Sequence, residues 1–137
     1  MQIPSRFTVA VHTLLCIGYF QEKEKVTSDF IANSVNVNPV VIRQVIQKLK
    51  AASLIHVERG AGGASLAKDP SSITLLDIYR AVGSVQGSLF GFHEDPNPNC
   101  PVGRAIEPVL GERLTVAQNA MEKELASTSL KDLLEQI

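Results

Sequence analysis

The 137 residues include only two cysteines, Cys16 and Cys100, too few for a disulfide framework. Cys16 falls in an apolar helical run where packing accounts for it, so any thiol chemistry is expected at Cys100. Long hydrophobic runs are also missing. The longest apolar stretch, residues 9–20, is interrupted by His12, Thr13 and Gly18 and falls short of the roughly 20 residues that a membrane span needs. The opening Met-Gln-Ile-Pro-Ser-Arg lacks the charged region, apolar run and small-residue cleavage site of a secretory signal, so a cytoplasmic location and no membrane partner are expected. Metal-ligand spacing is absent: His12, His56, His93, Cys16 and Cys100 show no close pairing, and no metal site or cofactor is expected. Ser-His-Asp order with a supporting motif, His-Glu-x-x-His, and paired carboxylates in a glycine-rich frame are all missing, and Glu94 with Asp95 reads as a solvated loop. No catalytic residues are assigned, and enzymatic activity is not expected.

Enough apolar material is present for a core: 45% of residues are hydrophobic, close to the globular average. The net charge of -1 hides an asymmetry. Residues 1–70 hold eight lysines and arginines against five acids, whereas residues 71–137 hold five against nine. Between residues 36 and 68 five cations face a single acid, Glu58. Such polarity points to a polyanionic partner for the first half, against the plainer reading of a solvated mixed-charge face.

Helical spacing of Phe7, Val11, Leu14, Leu15 and Gly18 predicts a first helix over residues 5–20, with Ser5 as its N-cap. Thr27, Ser28 and Asp29 offer capping oxygens for a short second helix ending near residue 34, and residues 35–38 form a turn. Asn38 followed by Pro39 is a clear start for a third helix reaching about residue 52. Ile42, Val45, Ile46 and Leu49 form its buried stripe. The opposite side carries Val40, Arg43, Gln44, Gln47, Lys48 and Lys50, with no acid between residues 39 and 57. Two short helices joined by a tight turn, the second with a basic and amide-rich face, make the helix-turn-helix arrangement that reads the major groove.

Residues 54–59 and 64–67 read as the strands of a β-hairpin wing with a glycine-rich tip, and Arg59 is placed to reach a minor groove or phosphates. A dinucleotide loop is excluded because Ser65 stands where the third glycine is needed, and a phosphate loop because Gly-Lys-Ser/Thr is absent. A fourth helix is predicted over residues 74–82 with Thr74 as a possible cap, then mostly loop over residues 83–103. In the long helix that follows, Ile106, Leu110, Leu114, Ala117, Met121 and Leu125 form one stripe and Val109, Val116 and Ala120 a second. A helix apolar on two sides suggests a symmetric dimer, against burial within its own domain. Pro108 is either its first residue or a kink in a helix begun near residue 102. Leu130, Leu133 and Leu134 form the contact face of a short terminal helix.

These residues resemble the Rrf2-type (Rrf-two) winged-helix transcription regulators over nearly the whole chain. The matching segments include Asp29-Phe30-Ile31-Ala32, the helix over residues 40–49, Ser53-Leu54-Ile55 and Arg59-Gly60-x-Gly62-Gly63. Leu66-Ala67, the run from Ile73 to Tyr79 and Cys100-Pro101-Val102-Gly103 also match. The resemblance implies a mainly α fold: a winged helix-turn-helix over residues 1–83, then a loop, a dimerisation helix and a C-terminal helix over residues 84–137. It further implies a homodimer on double-stranded DNA, joined through Ile106, Val109, Leu110, Leu114, Ala117, Met121 and Leu125. Val40, Arg43, Gln44 and Gln47 would face bases, Thr27, Asn38, Lys48 and Lys50 phosphates, and Arg59 the minor groove. Guanidinium and amide groups suit bidentate bonds to base edges, whereas ammonium groups act mainly on the backbone.

One departure stands out. Iron-sulfur members resemble this chain but carry three cysteines about six apart before the long helix. Here only Cys100 is present, with Glu94 and Ile106 about where the others would be, and one thiolate cannot hold a cluster. Some members without clusters look like thiol sensors, or bind small ligands or partner proteins. Cys100, just before a helix start whose dipole favours a thiolate, is the candidate sensor of oxidants or electrophiles. The expected function is a transcription regulator, most plausibly a repressor, and the alternative is a protein-protein module on a winged-helix scaffold.

Overall fold

A computed structural model describes residues 5–60, 62–83 and 89–137. The elements are α1 (Arg6–Phe20), α2 (Ser28–Val35), α3 (Pro39–Ala51), β1 (Ile55–Val57), β2 (Ala64–Leu66), a 3-10 turn (Pro70–Ser72), α4 (Leu75–Ala81), α5 (Pro101–Ala126) and α6 (Leu130–Leu134). The fold is mainly helical with one antiparallel hairpin, β1 pairing β2 in the register Ile55 to Leu66, His56 to Ser65 and Val57 to Ala64.

Helix α1 is the central packing element and buries Ala10, Leu14 and Ile17 against α2, α3 and α4. Ile31 of α2, Ile42 and Leu49 of α3, Leu54, Ile73 and Ile78 complete one core in which each is almost wholly removed from water. Burying side chains of this size stabilises a fold by about 1.5–3 kcal/mol apiece. The C-terminal helix returns to the same core: Leu130 is fully buried within it.

Two capping boxes meet where α4 and α6 begin. Thr74 and Asp77 cap α4, Ser129 and Asp132 cap α6, and the two N-cap residues form an antiparallel bridge. The Leu75 N–H donates to the Thr128 carbonyl at 3.0 Å and the Leu130 N–H to the Ile73 carbonyl at 2.7 Å. Backbone donors that helix starts normally leave unpaired are thereby satisfied.

Local structure departs from the sequence expectations at two places and decides between two alternatives at a third. Ser5 has helical backbone angles and its side chain makes no cap hydrogen bond; instead its carbonyl accepts the Thr8 hydroxyl at 2.9 Å. The 3-10 turn at Pro70–Ser72, capped by Asp69, was not anticipated. Helix α5 starts at Pro101, so Pro108 lies inside it and the Arg104 carbonyl receives no amide from position 108. The expected wing tip includes residue 61, and the expected loop includes residues 84–88; these, like the opening residues 1–4, lie outside the described residues.

Candidate nucleic-acid interface

The turn into α3 is built by local chemistry. Asn36 takes a left-handed conformation (φ 64°) and its N–H donates to the Ala32 carbonyl at 2.8 Å, which ends α2. Asn38 then accepts the Val40 amide on Oδ1 at 2.9 Å, with Pro39 at the first helical position. At the start of α2, Thr27 accepts the Phe30 amide on Oγ1 at 3.2 Å. These caps use one acceptor on each side chain and leave the Thr27 hydroxyl hydrogen and the Asn38 amide nitrogen as donors.

Helix α3 separates its two faces as its spacing requires. Ile42, Val45, Ile46 and Leu49 are buried. Arg43, Gln44, Gln47, Lys48 and Lys50 are exposed, and Val40 keeps 51% of its surface open. Lys48 and Lys50 occupy the last turn of the helix, where cations favour the helix dipole. Among the described residues neither Arg43, Lys48 and Lys50 nor the exposed Arg59 has a carboxylate within ion-pairing distance; the ion pairs join Arg80 to Glu122 and Lys131 to Glu135. The exposed face of α3 therefore carries cations that are not ion-paired, a favourable condition for polyanion binding, although Asp29 and Glu58 share a hollow with Arg43.

The hairpin is fixed to the helix-turn-helix at its base. The Ala64 N–H donates to the Val26 carbonyl at 2.9 Å, and the Glu58 N–H to the Gly63 carbonyl at 3.0 Å. Gly60 (φ 71°) follows Arg59 directly and turns the backbone where a side chain would be strained. A hollow of about 320 Å³ lies where α2, α3 and the hairpin converge, with Thr27, Ser28, Arg43, Glu58 and Gly60 on its walls. Ser28, Asp29 and Glu58 also line this surface, where the Thr-Ser-Asp run signals only a cap in the sequence.

The long helix has a different character. No residue of α5 is buried within the chain, and Val102, Val109 and Val116 are 71%, 67% and 56% exposed. Leu110 and Ala117 are exposed, whereas Ile106, Leu114, Met121 and Leu125 are half-buried. The C-terminal half lies on α4, where Glu122 pairs with Arg80 at 3.5 Å, and Pro101, Val102, Ala105, Ile106 and Val109 form an apolar hollow near the other end. Cys100 is half-buried at the N-cap of α5, with no side-chain cap bond, and its N–H donates to the Asn97 carbonyl at 3.2 Å. No described helix is long and apolar enough to cross a membrane.

Comparison with known proteins places this geometry in context. Residues 3–136 match the family model Rrf2, described as "Iron-dependent Transcriptional regulator". The chain is 51% identical over 132 residues to YwnA of Bacillus subtilis (strain 168), a protein assigned by inference to the HTH-type transcriptional regulators, with 96% of each chain covered. A crystallised protein described by inference as DNA-binding superposes with a TM-score of 0.76 at 46% identity, covering 95% of this chain and 99% of the other. CymR, the global cysteine regulator of B. subtilis, shares the fold with a TM-score of 0.73 at 22% identity, covering 100% of this chain and 98% of its own.

The iron in the family description does not fit the donors present. Among the described residues no three His, Cys, Asp or Glu side chains gather where they could hold a metal ion. Cys16 is only 5% exposed within the core, which leaves Cys100 as the single thiol at the start of α5, whereas clusters are held by several thiolates. The match over residues 3–136 and the half-identity to YwnA nevertheless agree with the architecture: this chain belongs to the Rrf2 family of transcription regulators.

Proposed function

We propose that the protein is a sequence-specific DNA-binding regulator that acts as a homodimer and represses transcription. The observation that carries this reading is the open face of α3 bearing Arg43, Gln44, Gln47, Lys48 and Lys50, whose cations make no ion pair among the described residues. A helix of this kind fits the major groove. There Arg43, Gln44 and Gln47 bond to base edges and Val40 meets thymine methyl groups. Thr27, Asn38, Lys48 and Lys50 hold phosphates, and Arg59 enters the flanking minor groove.

Pairing through α5 supplies the twofold arrangement. Burial of Val109, Leu110 and Leu114 against a second copy removes an apolar stripe from water and sets two recognition helices about 34 Å apart, one turn of duplex. A dimer seated on a promoter represses by excluding polymerase. Selection of bound fragments from genomic DNA by the purified protein, followed by titration of the recovered site at increasing salt, tests the reading. Binding should weaken steeply with salt as released counterions are counted. Salt-insensitive binding to a protein partner, with no selected DNA, would favour the protein-protein module instead.

Cys100 gives this regulator its redox response: a half-buried thiol beside the N-terminus of α5 reports oxidation to the dimer helix. Treatment with diamide or hypochlorite is expected to change operator affinity of the wild type and to leave Cys100→Ser unaffected. An unchanged wild type removes the sensing role.

A further inference from the structure

We infer that the groove between α1, α4 and α6 binds a small, uncharged, largely apolar molecule carrying one hydrogen-bonding head group. Helix α1 has two apolar faces. Ala10, Leu14 and Ile17 fill the core, while Phe7, Val11 and Leu15 form a second stripe that lines an open hollow of about 550 Å³, with Leu75 and Leu133 opposite. That volume lies within the roughly 300–1,000 Å³ range of small-molecule sites.

Besides the hydroxyls of Thr8, which donates to the Ser5 carbonyl, and Tyr19, the polar groups on its wall are placed together. His12 Nε2 lies 2.9 Å from Ser34 Oγ, and Cys16 follows His12 one helical turn later. No lysine, arginine, aspartate or glutamate is among the described residues that form the groove. A charged ligand would lose hydration there without gaining a counterion, whereas a neutral molecule with a carbonyl or hydroxyl finds apolar walls and one polar pair. Among the described residues the groove takes none of its lining from α5 of the same chain.

The polar pair also links the groove to the recognition helix. His12 belongs to α1 and Ser34 to the last turn of α2, two residues before the left-handed Asn36 that leads into α3. A head group bonded to His12 or Ser34 competes with this bridge and alters the packing of α2 on α1. This coupling rests on the DNA-binding reading; occupancy of the groove does not.

N-phenyl-1-naphthylamine, a neutral apolar fluorophore, reports occupancy when titrated into the full chain without DNA, with acetophenone and ethylbenzene as competitors. A saturable emission increase of one probe per chain is expected, weakened at least tenfold by Leu15→Trp, which fills the groove. His12→Leu should reduce displacement by acetophenone at least fivefold while leaving ethylbenzene within twofold. His12→Leu serves alone if Leu15→Trp fails to fold by circular dichroism. No saturable signal, equal probe binding by Leu15→Trp, or equal effects of His12→Leu on both competitors overturns the site. Probe binding that emerges only on dilution to monomer makes a second copy the occupant and overturns it as well. Operator affinity with and without saturating acetophenone then tests the coupling separately: a shift supports it, and no shift removes it while leaving the occupancy result in place.

Discussion

Val26 leaves no room for a side chain on Gly63: a β-carbon there would lie 2.9 Å from the Val26 amide nitrogen, and Gly63 holds φ at 81°. The contact fixes the base of the hairpin against the residue that precedes the Thr27 cap of α2. Backbone on both sides makes the overlap hard to relieve. Gly63→Ala is therefore expected to destabilise the fold by about 1–3 kcal/mol, measured by chemical denaturation. Gly60→Ala, which meets nothing within 4 Å, carries only the left-handed backbone cost and should lose less. Equal losses at the two positions would mean that contact with Val26 is not the constraint.

The unburied stripe of α5 gives a second expectation. Val109 is 67% exposed in the single chain, so Val109→Glu should leave the folded monomer's stability within about 0.5 kcal/mol yet place a charge in the pairing surface. Sedimentation velocity should find the wild type at twice its 14.8 kDa chain mass and the variant at the chain mass. A wild type that remains monomeric at high concentration would contradict dimerisation through this helix.

Acid stability should follow two caps. Hydrogen bonds from the Ser129 backbone and side chain hold the Asp132 carboxyl below its ordinary 3.8, and bonds from the Ser71 side chain and backbone do the same for Asp69. Both carboxylates have folded pKa values below their unfolded ones, so their contribution is complete above about pH 4 and is lost as pH falls through the folded values. Thermal melts between pH 3 and 7 should show a smaller acid loss for Asp69→Asn/Asp132→Asn than for the wild type. An identical pH profile would exclude these caps as its source.

Legibility in the sequence followed the range of the interaction. Asn38-Pro39 and Thr74 declare helix starts because each cap closes over two or three residues, and the stripe at Ile42, Val45, Ile46 and Leu49 declares the face of α3 by its own period. Ser5 holds the N-cap position that the sequence gives it, but with helical backbone angles its side chain makes no cap hydrogen bond. Pro108 was undecided because a proline both starts and interrupts helices, and only the observed start at Pro101 separates the two. The contact of Val26 with position 63 and the His12–Ser34 bridge join residues distant in sequence. No local pattern announces them.

The central claim concerns the face of α3, and fluorescence anisotropy on the selected operator and on random duplex of equal length tests it most directly. Arg43→Ala should weaken operator binding by about 1–3 kcal/mol with little change on random DNA, whereas Lys48→Ala should weaken both alike. Equal losses for Arg43→Ala on operator and random duplex, or no loss on either, would contradict a base-reading role for this helix.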